Sequence, residues 1–183
     1  MRAPSLTRAF GALGPRGIRR LLNVWPPFLG AGIRVLDIGR DWRSARVELR
    51  MHTLNRNYVG AHFGGSLFAM TDPFWMLLVL RSLGRDYLVW DRAGAIEFLK
   101  PGRGTVHAAF ALDEAALDAL RAAADGATTG TAPAPQESGE PDDAITVLPS
   151  GAVLRWFRTD ILDAGGEVVA RVRKQVYVRR RAA

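Results

Sequence analysis

The residues best suited to chemistry lie between Asn55 and Leu83, in NRNYVGAHFGGSLFAMTDPFWMLLVLRSL, where the glycine pair Gly64 and Gly65 precedes a lone aspartate, Asp72, in an otherwise apolar helical pattern. Such a set suits acyl transfer. Unpaired backbone N–H groups at a helix start can donate to an oxygen on which negative charge develops, and glycine lets an acyl carbonyl come close to them. An aspartate against an apolar wall gains proton affinity, so Asp72 could act as a general base for water or as a nucleophile. Gly65 and Asp72 are seven residues apart, which places them near one helix face but about 10 Å apart along the axis. One carbonyl cannot touch both, so joint action requires the two groups to come from different subunits. Capping is the competing role for Asp72, because Pro73 follows it, and proline behind an Asp cap is a standard helix start.

Other polar residues are weaker candidates. Asn57 and His62, beside the helix start, could position water or the acyl group, and Ser66 or Thr71 could hydrogen-bond it. Asn55 and Asn57 equally suit turns closed by their own side chains. Ser66 has no sequence-local histidine partner, so no serine triad is proposed. Arg103 in a turn, and Arg171 and Arg173 near the end of the chain, could hold phosphates or simply face solvent. Phe63, Leu67, Phe68, Met70, Phe74 and Trp75 offer bulk for an apolar lining or for the core.

Several chemistries are set aside. The chain has no cysteine, which removes thiolate nucleophiles, disulfides and zinc–thiolate sites. It has neither a GxGxxG after a strand nor a GxxxxGK[ST], and His52, His62 and His107 lack metal-ligand spacing, so no metal site is expected. A formal charge of +7 attracts polyanions or merely keeps the protein soluble. Arg171, Arg173, Lys174, Arg179, Arg180 and Arg181 form a basic stripe with Trp156 and Phe157 on a nearby strand, which leaves a nucleic-acid-binding module as an outlying alternative. No helix-turn-helix or RNP-like aromatic pair accompanies it, and nucleic acid is not the expected partner. The apolar runs fall short of a membrane span, and the first thirty or so residues lack a signal-like apolar core, so the expected location is cytoplasmic.

The elements that must position these residues follow from periodicity. Residues 1–31 are helical in patches, broken at Pro26 and Pro27, and form an N-terminal extension. Ile33 to Ile38 and Ala45 to Met51 alternate as a strand pair with one wet face. One long helix, the longest in the chain, runs from Gly64 to a stop at Gly84. Tyr87 to Phe98 and Thr105 to Leu112 read as adjacent strands meeting at the Pro101 to Gly104 turn, and Asp113 caps a short helix that ends at Gly126. Residues 126–143, poor in bulky apolar groups, form a flexible insertion. Ile145 to Leu148 and a long hairpin, Ala152 to Ile161 and Val168 to Val178, close the chain. Five or six strands around one helix, without βαβ order, make an α+β domain over 32–183 with an antiparallel sheet wrapped around the helix.

NYVGAHFGGSLFAMTDP, followed by AIEFLKPGRGTVHAAF, resembles the hotdog-fold acyl-CoA thioesterases and more narrowly the DUF4442 group of tetrameric acyl-CoA thioesterase-like proteins. The likeness covers roughly Gly32 to Val178, apart from the insertion. The phenylacetate-pathway type of hotdog thioesterase carries His-Gly-Gly with an Asp later in the same helix. On this chain the glycines are Gly64 and Gly65 and the acid is Asp72, while Phe63 takes the histidine's place and His62 sits one residue earlier. The resemblance implies hydrolysis of an acyl-CoA thioester by a dimer or dimer of dimers, with coenzyme A entering only as part of the substrate. A hotdog protein that binds an acyl chain or lipid without turnover is the alternative.

Overall fold

The computed structural model describes residues 11–126 and 144–181. Prolines open two helices, α1 (Pro15–Val24) and α2 (Pro26–Ala31), so Pro26 starts a helix as well as ending one. Ile18, Leu22 and Phe28 are their buried residues, while Val24, Trp25 and Leu29 stay exposed.

Next come β1 (Ile33–Ile38), β2 (Ser44–Leu49), a 3-10 turn at Thr53–Asn55, α3 (Gly64–Ala69) and α4 (Phe74–Leu83). They lead into β3 (Tyr87–Phe98), β4 (Val106–Ala111), α5 (Glu114–Gly126), β5 (Ile145–Val147), β6 (Val153–Leu162) and β7 (Val168–Arg180). The seven strands form one sheet in the order β1-β2-β4-β6-β7-β3, with β5 added to β6, and every pairing is antiparallel.

The central helix lies against one face of this sheet. Trp75 of α4 stacks on Phe157 of β6 at 4.6 Å between centroids and donates its indole N–H to Thr159 Oγ1 at 2.8 Å, while Phe74 packs on Phe110 of β4 at 4.9 Å. Met70, Phe74, Leu78 and Val79 are wholly buried there. An antiparallel sheet wrapped around a central helix is the hotdog arrangement. By length and apolarity Gly64–Leu83 would also pass for a membrane span, contrary to the expectation that no run reaches that length, but half of it is buried against the sheet.

Three further expectations need correction. The central helix is not continuous: a turn at Met70–Pro73 divides it, because Pro73 supplies no N–H to continue the ladder, and among the described residues α5 at 13 residues is the longest helix. Strands β3 and β4 are not neighbours. Phe98 pairs with Ala170 of β7, whereas Val106 pairs with Leu49 of β2, so the intervening turn crosses behind β6 and β7 in the strand order. The sheet also has seven strands where five or six are expected. The Asp113 cap is present, accepting from Ala116 N at 2.6 Å, and the 126–143 insertion falls, beyond Gly126, outside the described residues.

Candidate active site

The loop before α3 is built by side chains bonding to backbone. Asn57 Oδ1 accepts from Val59 N and Ala61 N, and its Nδ2 donates to His62 O at 3.0 Å. Asn55 is buried and donates to both Ala31 O and Arg50 O. Both asparagines therefore hold the loop, and neither has a side-chain group left aimed at a substrate by these bonds.

His62 is 3% exposed. Its ring faces the carbonyl of Gly104 at 2.8 Å, so Nε2 carries the proton and Nδ1 is a bare, buried acceptor without a hydrogen-bond partner among the described residues. Burial holds the imidazole below the usual histidine range, helped by the charge of His52 and opposed by the Gly104 bond. His62 N also donates to Gly102 O, which ties this loop to the 101–104 turn.

A cleft of about 480 Å³ opens between these loops, lined by His62, Gly64, Leu67, Phe98, Lys100 and Gly102 among others. A side chain on Gly64 would place its Cβ 2.8 Å from the Phe98 ring, and one on Gly65 would collide with the Phe63 ring. Glycine is required at both for these rings to close over the start of α3. Among the described residues, no hydrogen bond outside the helix engages the Gly64 or Gly65 amide. Leu67 lines the cleft, whereas Ser66 and Met70 are buried and Met70 belongs to the core, so its expected place in a substrate lining is not where the side chain lies.

Asp72 occupies a second cluster. It does not cap α4, whose cap position is Pro73 with no side-chain bond, so the capping role is absent. Its carboxylate instead accepts from Lys174 Nζ at 2.6 Å, and Lys174 reaches Asp91 Oδ2 at 3.1 Å. Lys174 is 4% exposed, while the Asp72 side chain is 55% exposed. Burial alone would lower the lysine pKa, but the bond to Asp72 and the charges of both aspartates outweigh it and raise it above the usual value. Burial pushes the Asp91 carboxyl up, Lys174 pulls it back in part, and Asp72 adds to the rise. The Phe68 ring centroid lies 5.2 Å from the ammonium, and a Cβ on Gly94 would stand 2.7 Å from that ring and 3.1 Å from the lysine stem.

Two clusters thus share the strand β3. Gly94 is paired with Lys174, and Phe98, over Gly64, is four residues further on, about 13 Å along a strand. Within one chain the glycine amides and Asp72 are held apart. Of the expected phosphate-binding arginines, Arg103 is exposed beside the cleft, while Arg171 is engaged by Asp160 at 3.0 Å and Arg173 lies over the Trp156 ring, on the face of the sheet opposite Lys174. Lys174 and Asp91 were not among the residues expected at the site. Their signal in sequence is a lysine and an aspartate at positions where strand alternation calls for apolar side chains.

The Domain of unknown function family DUF4442 matches residues 16–178. The chain belongs to the DUF4442 family. Among solved structures, this DUF4442 protein is similar to a Pseudomonas aeruginosa protein of unknown function, described as a probable thioesterase, at 18% identity and TM-score 0.68, covering 89% of this chain and 93% of that one. It is similar to a Haemophilus influenzae thioesterase at 12% identity and TM-score 0.58, with 92% of each chain covered. It is also similar to the PaaI protein of the Escherichia coli phenylacetic acid degradation operon at 14% identity and TM-score 0.53, covering 92% and 93%. At these identities the likeness shows the fold alone. No curated protein matches the DUF4442 chain. Among the described residues no group of His, Asp and Glu could hold a metal ion.

Proposed function

We propose that this protein hydrolyses an acyl-CoA thioester as a self-associated pair of chains. The observation that carries this reading is the Asp72 carboxylate, half exposed yet fixed by a buried lysine beside Gly94 of β3, with Gly64 packed against Phe98 at the end of the same strand. Asp72 takes a proton from water as the water oxygen bonds to the acyl carbon. The glycine amides of the partner subunit hold the oxyanion; the carbon–sulfur bond then breaks, and the proton passes to the departing thiolate to give free acid and coenzyme A. Direct attack by the carboxylate through an anhydride is the other route open to the same residue.

Self-association is supported by β3. It is 12 residues long and, among the described residues, pairs with β7 on one side only; Phe98 and Leu99 at its end are exposed, as are Tyr58, Val59 and Phe63 of the loop before α3. Two such edges run antiparallel about a two-fold axis between Gly94 and Phe98 would set each Asp72 beside the glycines of the partner subunit. The cleft lined by Leu67 and Phe98 would take the acyl chain or the thioester arm, and Arg103 at its rim would meet coenzyme A phosphates.

The ion pair itself favours a second reading, in which Asp72 is engaged by Lys174 for structure and the protein binds an acyl chain without turnover. Thiol release from short, medium, long and aromatic acyl-CoAs separates the two. Hydrolysis that falls by about 10²-fold or more in Asp72→Asn, with association intact, supports the hydrolase. No release from any member of the panel leaves the binding protein.

A further inference from the structure

We infer that Lys174 and Asp91 are positioning residues that act through Asp72: the ammonium fixes the carboxylate, and Asp91 balances the ammonium so that Asp72 can still accept a proton. The inference rests on Asp72 being the base. A carboxylate with a single ammonium partner at 2.6 Å is held ionised and is a poor base. Here the ammonium is shared. With both aspartates ionised the three groups carry one net negative charge, and a proton on Asp72 brings the cluster to neutrality. Without Asp91 the same step would leave a buried positive charge.

Three further observations point the same way. Lys174 is buried while Asp72 is half exposed, so the fixed member of the pair is the lysine and the member open to a substrate is the acid. Asp91 Oδ1 is buried without a hydrogen-bond partner among the described residues, so the second carboxylate serves the cluster by its charge more than by a closed set of bonds. A bulge in β3 between Asp91 and Ala93 puts Asp91 and Gly94 on the same face as Lys174, which brings the carboxylate under the helix and keeps a side chain out of the way.

Among the described residues, the groups facing the ammonium are few. The turn after α3 contributes Asp72, α3 contributes the Phe68 ring, β3 contributes Asp91 and Gly94, and β6 contributes Phe157, its cross-strand partner. Arg155, on the same face of β6, lies over the Phe157 ring, while Arg158, Asp160, Arg171 and Arg173 are on the opposite face.

The test measures the titration of the Asp72 side-chain carboxyl carbon by NMR, assigned by its loss in Asp72→Asn, alongside the acid limb of kcat/KM for thiol release. Asp91→Asn is expected to move both to lower pH by about one unit, and Lys174→Met to move both to higher pH by a similar amount. Lys174→Arg, which keeps the charge, is expected to move them less than Lys174→Met. A merely structural ion pair would shift the carboxyl titration in the same two directions but leave the acid limb of kcat/KM where it lies in the native protein. An unchanged Asp72 titration in Asp91→Asn overturns the inference, and if the native protein still releases thiol the hydrolase reading survives it. Opposite titration shifts in a protein that releases no thiol would mean charge coupling without a catalytic role, and overturn both the inference and the hydrolase reading.

Discussion

The two edges of the sheet are treated differently. Along β1, Asn23 of α1 donates to Val35 O at 3.0 Å and accepts from Val35 N at 2.7 Å, and Arg19 donates to Leu36 O, so side chains of a packed helix occupy backbone groups of a strand of six residues. Strand β3 is twice as long, and Trp90 and Phe98 are exposed along it. An open apolar edge is ordinarily a liability, and a chain that closes one edge with its own helix has the means to close the other. Both candidate clusters adjoin this strand, which among the described residues pairs on one side only.

The largest effect is expected from spoiling the open edge. Tyr58→Asp together with Phe98→Asp should give a folded monomer by sedimentation, with thiol release lowered by about 10²-fold or more, because neither cluster then meets its complement. Retained activity in a monomer would break the link between edge and site. Asn23→Ala does the converse at the closed edge: loss of two bonds to β1 should lower stability by about 1–3 kcal/mol in urea unfolding, with association and acyl-CoA turnover unchanged.

A smaller effect separates the loop before α3 from both edges. His62 has a folded pKa below its unfolded value of 6.5, so the unfolded chain takes up the proton first as pH falls. The stabilisation from holding a neutral ring is complete above about 6.5 and is lost as pH drops through and below that value. His62→Gln should flatten the change in unfolding free energy between about pH 7.5 and about pH 5.5. An unaltered slope would mean that another group governs acid sensitivity.

Much of the fold was legible because its signals are local. The alternation of β2, the β6–β7 hairpin, the Asp113 cap and the Asn57 turn each depend on neighbours a few residues away. The exclusion of β3 from β4 was not legible: a short turn between two strands suggests a hairpin, and only the preference of β3 for β7 settles the order. At the site, the glycines and Asp72 stand out by type and spacing. The bond that defines the acid's surroundings joins positions 102 residues apart, and the bulge that brings Gly94 onto the same face as Asp91 leaves no periodic trace.

Gly94 adds a consequence for how such a protein could change its trade. The Phe68 ring and the Lys174 stem occupy the space that any larger residue there would need. A single methyl group at that position would collide with the Phe68 ring and crowd the lysine stem beside its aspartates, while leaving the cleft and every ionisable group in the chain. If the proposed hydrolysis holds, Gly94→Ala is therefore expected to lower thiol release while acyl binding persists, and Gly94 is the first position to compare between relatives that turn over and relatives that only bind.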